Sequence, residues 1–549
     1  MKKLFTLFII IGTMLATLPA KAQRSENALN ATGRNLEILG DIYRQLDQYY
    51  VDSLSADTVM RWAIAAMLRR VDPFTVYYPD DDMDDLKQMT TGKYGGIGSV
   101  IRFHKKQNHC VVVEPYVGTP SAEVGLRAGD VLLRVDDRDL SGMPSDEVTN
   151  LLRGDAGTSF LLTVNRAGQE MQFNITRRNI QLPAIPYYGM LDQEVGYIQL
   201  SGFTEGSAVE VRQALLDLKG QGMRRLVFDL RNNGGGSLSE AVDIINLFVP
   251  KGQKVVYCRG KVPSSNRDYY TNVDPVDLQL PIAVLVDDGT ASAAEIVSGS
   301  LQDLDRAVVV GLRTYGKGLV QSVHEVVYRG ELKITTSRYY IPSGRCIQAY
   351  DYRHLNEDGS VGTVPDSLTN VFHTAGGREV RDGGGIKPDI EVQLDTLATM
   401  VLDVVPSDEM FDYVTLYVQQ HPSIAPAGQF RIGDEDYAAF ASYMQEQGFT
   451  YNRRSEELLQ LLQEVARQEG YLEVAEQEFE ALKAKFTTDL ARDFERNRQD
   501  IETYLNNEIV TRYYYRAGFV QQALQNDPIL DKALEILNDR KEYKKILSK

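Results

Sequence analysis

Cysteine, histidine and positive charge are all in short supply in this chain. Cys110, Cys258 and Cys346 are its three thiols. An odd number cannot close into a complete disulfide framework. They stand far apart, each among strand-forming residues, with no C-x-x-C spacing for a metal, so each reads as a small buried apolar side chain. Six histidines serve 549 residues: His104, His109, His324, His354, His373 and His421. None lies in a local catalytic signature. Lys and Arg total 59 against 76 Asp and Glu, a formal net charge of −17. That balance argues against nucleic acid as a partner and against attraction to acidic membranes. It is equally what solubility alone would select. Beyond the N-terminus no apolar run nears the roughly 20 residues needed to span a bilayer. Low-complexity linkers and internal repeats are absent too.

What is present begins with MKKLFTLFIIIGTMLATLPAKAQ. Lys2 and Lys3 precede an apolar stretch from Leu4 to Leu18, and Ala20-Lys21-Ala22 has the small-x-small form of a signal-peptidase site. This predicts export to the periplasm, with a mature start at Gln23 and no stable membrane insertion after removal of residues 1–22. An uncleaved anchor is the alternative. No cysteine follows the apolar run, which argues against a lipoprotein anchor there.

At about 100–200 residues per domain, the length implies several domains. Residues 23–90 have helical periodicity, with Ser55 or Asp57 as candidate caps. Residues 91–178 turn to strands and turns: GGIGSVIRF, HCVVVEPYV, then GLRAGD leading into VLLRV. SDEVTNLLRG is a short amphipathic helix, and TSFLLTVNRAGQEMQFNITR a hairpin turning at Arg166–Gln169. Residues 179–395 alternate strands (VGYIQL, RLVFDL, PIAVLVDD, AVVVG) with helices, which predicts β-α-β units around a largely parallel, buried sheet. Residues 396–549 lose the strands and become Leu- and charge-rich helices, a helical C-terminal domain.

TASAAEIV, Thr290–Val297, raises the question of chemistry. Ser292 and Glu295 fit the S-x-x-E capping box that opens many inert helices. Yet Ser292 follows a buried strand at its carboxyl end, where ligands of open α/β sheets bind. Helix N-terminal N–H groups beside it could stabilise an oxyanion. Gly234–Gly236, after RLVFDL, form a second carboxyl-end loop whose backbone can approach a ligand, or simply a tight turn. A serine nucleophile needs a base. Lys317 follows Ser292 by 25 residues, one helix plus one strand plus a turn. It lies between Gly316 and Gly318, which admit close packing around the amine. A buried lysine loses its proton more readily and can serve as base. An exposed lysine in a turn is the plainer alternative.

The stretch GTASAAEIVSGSLQDLDRAVVVGLRTYGKGLVQSV closely resembles the active-site region of the carboxyl-terminal processing peptidases, also called tail-specific proteases. The likeness extends over roughly residues 35–395. It implies a Ser292/Lys317 dyad with Gln321 orienting the lysine. It implies backbone oxyanion donors at Ala293 and a turn glycine of Asp229–Gly236, taken as Gly236. It places the catalytic sheet among ClpP/crotonase-like α/β folds, and residues 91–178 as an inserted PDZ domain. Such a domain adds an extended peptide to a sheet edge and grips its terminal carboxylate with backbone N–H groups. Gly96-Ile97-Gly98 would form that loop, and Val148, Leu151 and Leu152 of the following helix the side-chain pocket. Arg153 would couple peptide occupancy to the protease, or only complement its helix C-terminus.

The expected architecture is therefore an α/β multidomain chain: signal peptide, N-terminal helical segment, PDZ domain, protease core and helical extension. The expected function is an exported serine endopeptidase acting on proteins or peptides with free, apolar C-termini, needing no metal or organic cofactor. The competing readings are a catalytically inactive PDZ adaptor on a protease scaffold and a crotonase-type acyl-CoA enzyme. The tail is a candidate for homo-oligomer formation, an adaptor contact or self-restraint.

Overall fold

A computed structural model describes residues 18–80, 91–356, 358–451, 453–486 and 489–548. Residues 1–17 of the expected signal peptide and 81–90 of the expected N-terminal segment lie outside the described residues. The chain divides into two compact units, residues 1–77 with 332–334, and 78–331 with 335–549. Among its described residues the first holds two helices, Leu18–Tyr49 and Ala56–Arg69. Ser55 caps the second, its side chain accepting the Thr58 N–H.

The second unit is built on a six-stranded sheet. In order its strands are Tyr187–Met190, Val195–Gln199, Arg225–Asp229, Ile282–Val286, Val308–Gly311 and Ile390–Glu391. The first pair is antiparallel and the rest run parallel, with Val195 opposite Arg225, Leu226 opposite Ile282 and Ala283 opposite Val308. Ile282–Val286 is buried at every position, as a strand covered on both faces must be. One face packs on the helices Ser207–Gly220, Leu238–Asn246 and Ala293–Asp303 through residues such as Phe228, Val284, Leu215, Ile245 and Ile296.

The other face is covered by the end of the chain. Ile529, Leu530, Ala533, Ile536 and Leu537 share one side of the helix Pro528–Asn538, at helical spacing. They pack on Tyr197, Val227, Leu285, Val308 and Val310 of the sheet. Each of the four buried Ile and Leu side chains among them contributes about 1.5–3 kcal/mol. Tyr543, in the following helix Arg540–Leu547, meets both backbone polar groups of Ile282: its hydroxyl accepts the N–H at 2.9 Å and lies 3.2 Å from the carbonyl oxygen. The last helices therefore complete the sandwich around this sheet. Periodicity in the sequence shows which face of these helices is apolar but not what covers it.

Residues 99–176 form a second sheet, in the order Ser99–His104, His109–Pro115, Val131–Val135, Ser159–Arg166, Gln169–Thr176. The helix Ser145–Leu152 lies beside it. Ala167 and Gly168 both have positive φ (51° and 85°), the geometry of a two-residue type I′ hairpin turn between Arg166 and Gln169. Lys93–Gly96 and Arg178–Gln181 pair antiparallel, so the chain enters and leaves this domain at one place. The domain also docks on the helical tail. Arg102 donates to the Pro406 and Ser407 carbonyls and to Asp408, and the His104 ring meets Asp412 at 3.0 Å. Arg102 and Arg512 each lie 4.5 Å from the Phe411 ring centre.

Candidate active site

Ser292 stands at the carboxyl end of Ile282–Val286, immediately before the helix Ala293–Asp303. Its φ and ψ are 57° and −115°. With the Ala294 N–H bonded to the Ala291 carbonyl at 3.2 Å, Ser292 occupies the first central position of a type II′ turn. A residue with a Cβ is strained there, and strain of this kind lifts a nucleophile out of a strand-to-helix turn. Ser292 and Glu295 also stand in capping-box register. Cap position and turn strain coexist at one residue.

Glu295 does more than cap. It is fully buried, and its two oxygens collect four donors. Oε2 accepts the N–H of Ser292 and the N–H of Lys317, each at 2.9 Å. Oε1 accepts the Gly316 N–H at 2.8 Å and the Thr314 hydroxyl at 2.6 Å. Burial pushes the Glu295 carboxyl up to about 7, against the four hydrogen bonds that favour its ionised form. On the far side the Tyr339 hydroxyl donates to the Lys317 carbonyl at 2.7 Å and lies 3.1 Å from the Ser292 carbonyl oxygen. The two residues named by the sequence are thus tied, backbone to backbone, through one carboxylate and one phenol.

The loop carrying Lys317 is held by further contacts. The Tyr315 N–H reaches the Thr290 carbonyl at 3.0 Å, and the Ala349 N–H the Gly316 carbonyl at 2.9 Å. Gly316 has φ 86°, and a Cβ there would overlap the Ala349 side chain. A Cβ on Gly318 would lie 2.8 Å from the Gln348 nitrogen. Lys317 itself is half-buried. The Gln321 amide donates to the Thr335 hydroxyl at 3.1 Å.

The turn Asp229–Gly236 closes the other side. The Ala291 N–H donates to the Asn233 carbonyl at 2.9 Å. Gly235 packs so near Ser292 that a Cβ on it would lie 2.8 Å from the Ser292 Cβ and the Ala293 nitrogen. Its own N–H is taken by the Asn233 side chain at 2.9 Å. Gly236 has φ 140° and is exposed; Ala293 is buried. The histidines go elsewhere: His104 to Asp412, His109 to the Gln107 carbonyl, His354 to Asp351 and His421 to the Tyr417 carbonyl, while His324 and His373 are exposed. All three cysteines are free, two buried and Cys346 half-buried.

The profile of peptidase family S41 matches residues 194–361, that of a PDZ domain residues 111–166, and that of a "Probable PDZ-protease, C-terminal helical domain" residues 400–537. The carboxy-terminal-processing protease of Bartonella bacilliformis is 33% identical over 350 residues, which are 62% of this chain and 80% of that protein. A probable CtpA-like serine protease of Staphylococcus aureus is 30% identical over 416 residues, 73% of this chain and 75% of that one. The chain belongs to the carboxy-terminal-processing proteases of family S41. It is a serine-type protease with a PDZ domain and a helical C-terminal domain. Among solved structures, the photosystem II D1 C-terminal processing protease shares 25% identity, covering 65% of this chain and 93% of that one, at a TM-score of 0.35.

In the PDZ domain of this protease, a groove of about 160 Å³ lies between the edge strand Ser99–His104 and the helix Ser145–Leu152. Ile97, Gly98 and Leu152 line it, joined by Tyr94, Tyr116 and Thr149, which sequence reasoning did not select. Val148 does not: it has no exposed surface and belongs to the domain core. The helix is rotated so that Thr149 and Leu152 face the groove, a phase that a two-turn helix leaves open in the sequence. Leu151 packs half-buried against the same core. Gly96 is buried, with the Tyr94 ring and the Arg153 stem over it. The Arg153 guanidinium lies 5.4 Å from the Tyr94 ring centre. Glu295 and Tyr339 were the other omissions. Glu295 was visible as the fourth residue of S-x-x-E, whereas nothing local marks Tyr339.

Proposed function

We propose that this protease is an exported endopeptidase that takes the free, apolar C-terminus of a polypeptide into its PDZ groove and cleaves the chain with a Ser292/Lys317 dyad. The observation that carries the reading is the sharing of Glu295 Oε2 by the Ser292 and Lys317 N–H groups. It supports a functional pairing of these two residues rather than two unrelated turns. Ser292 Oγ attacks the scissile carbonyl carbon while its proton passes to the neutral Lys317 amine. The oxyanion so formed is held by the N–H groups of Ala293 and Gly236; the Gly235 N–H is committed to Asn233 and is not available. Lys317 then protonates the leaving amine, and water repeats the sequence on the acyl-enzyme. Gln321, tethered to Thr335, holds the lysine side chain. The catalytic sheet is assigned to the ClpP/crotonase-like folds, with residues 91–178 as the inserted PDZ domain. Export rests on the charged, apolar and A-x-A segments of residues 1–22.

Groove size and lining suit one apolar side chain beside a carboxylate held by the backbone at Ile97 and Gly98. The test uses one peptide with an apolar free C-terminus and its amidated twin. Wild type is expected to cleave the first faster, and both Ser292→Ala and Lys317→Ala to cleave neither. Cleavage by purified Ser292→Ala would refute the nucleophile. Equal cleavage of the twins would remove the carboxylate-reading role.

A further inference from the structure

The turn that would supply the oxyanion donor is anchored from the far end of the chain. Arg231 opens this turn. Its guanidinium donates to Asp229 Oδ2 at 2.6 Å and its backbone N–H to Asp229 Oδ1 at 2.9 Å. Asp229 is fully buried and also receives the Tyr197 hydroxyl at 2.7 Å. The other arm of the guanidinium, Nη1, meets Asp527 Oδ2 at 2.6 Å. Asp527 lies 298 positions beyond Asp229 in sequence, at the start of the helix Pro528–Asn538, and its side chain is only 10% exposed.

Asp527 divides its two oxygens between two tasks. Oδ1 caps its own helix, accepting the Ile529 and Leu530 N–H groups at 3.0 and 3.1 Å. Oδ2 faces Arg231. Capping alone would be met by Ser or Asn; a guanidinium partner requires the charge. Beyond Arg231 the connection is short. The Asn233 carbonyl receives the Ala291 N–H, its side chain holds both the Leu200 carbonyl and the Gly235 N–H, and Gly235 lies against Ser292. A carboxylate on the C-terminal helical domain is therefore tied, through one guanidinium and one turn, to the backbone beside the nucleophile.

We propose that Asp527 is a positioning residue for peptide hydrolysis: through Arg231 it fixes the turn that places the Gly236 N–H at the oxyanion. The helical domain is then part of the catalytic apparatus rather than an appendage. This rests on the serine endopeptidase reading above.

The test compares Asp527→Asn with wild type in the full-length protein. Asn keeps the capping oxygen and turns the other position into a donor that cannot pair with a guanidinium. Four quantities are measured: kcat, KM, melting temperature, and affinity for a peptide boronate, whose tetrahedral serine adduct places an oxygen in the oxyanion site. The expected result is a fall in kcat of about tenfold, KM within about twofold, and boronate affinity reduced by the same factor as kcat. Asp531→Asn, an exposed change in the same helix, is expected to leave all four unchanged. If Asp527→Asn does not fold, Asp527→Ser caps the helix without reaching Arg231 and carries the same expectation. Wild-type kcat in a folded Asp527 variant overturns the proposal. So does a fall in kcat with unchanged boronate affinity. Failure of the underlying reading looks different, since wild type and Asp531→Asn would then cleave no peptide.

Discussion

The backbone N–H groups of Ser292 and Lys317 point at the same oxygen atom, Oε2 of Glu295, each from 2.9 Å. One buried carboxylate thereby sets the spacing of two segments that come from different strands of the sheet. A residue with this duty need not touch substrate to control the rate.

Glu295→Gln is expected to lower kcat by about a hundredfold, the cost typical of displacing a catalytic group by an ångström. Gln keeps one carbonyl oxygen but puts an amide donor against N–H groups that need an acceptor. KM for a PDZ-bound peptide should change little, because the groove lies in another domain. Steady-state kinetics with separate kcat and KM values check this, and a kcat within threefold of wild type would contradict the bridging role.

The pH dependence follows from the same residue. Burial raises the Glu295 carboxyl to about 7 from an ordinary value of 4.5. Protonation removes an acceptor from the bridge, so kcat should fall as pH drops through about 7, and Glu295→Gln should lose this component, keeping only the fall due to protonation of the Lys317 base. Stability runs the other way. Between about pH 4.5 and 7 the folded state holds a proton that the unfolded state has lost, so Glu295's contribution to stability declines as pH rises across that window. The decline amounts to about 3 kcal/mol at most. Glu295→Gln should therefore lose less stability than wild type between pH 5 and 8, as read by denaturant midpoints at the two values.

Gly316→Ala should be damaging out of proportion to one methyl group. A positive φ costs a residue with a Cβ about 1–2 kcal/mol, and here that Cβ would meet the Ala349 side chain. The loop must shift, carrying Lys317 and two of the four Glu295 donors, the Gly316 and Lys317 N–H groups, with it. Expected are a melting temperature lower by several degrees and a kcat loss of at least tenfold. Gly359→Ala, with φ 81° but open space around the glycine, should show the backbone cost without the loss of activity.

Tyr543→Phe separates stability from catalysis. It deprives the Ile282 N–H of the hydroxyl oxygen it donates to, and an unsatisfied buried donor costs about 1–3 kcal/mol. A lower denaturant midpoint with unchanged kcat at 25 °C is the expected pair of results. Unchanged stability would mean that water reaches the strand end once the hydroxyl is gone.

Much of this site is legible in the sequence, because its signals are local. A buried apolar run followed by T-A-S-A-A-E places a serine at a strand end by chain order alone. Glycines on both sides of Lys317 announce a close approach of backbones. The alternation of strands and helices over residues 195–311 identifies the parallel sheet by period and length. The phase of the PDZ helix was not legible at this level: eight residues with three neighbouring apolar side chains fit more than one rotation, and Thr149, not Val148, turned toward the groove.

Tertiary structure alone decided the rest, and the reason is distance along the chain. Whether Glu295 merely capped its helix or joined Ser292 to Lys317 depended on where a loop 21 residues later came to lie. Tyr339 and Asp527 carry no motif; each matters through one partner brought close by packing of the whole unit. The apolar stripe Ile529–Leu537 announced that something would cover it. Only the folded chain shows that the cover is the underside of the catalytic sheet. Sequence determined which elements form and which residues could do chemistry, because propensity, capping and periodicity act over a few residues. Their meeting was decided by burial, which sums over segments that the sequence keeps hundreds of residues apart.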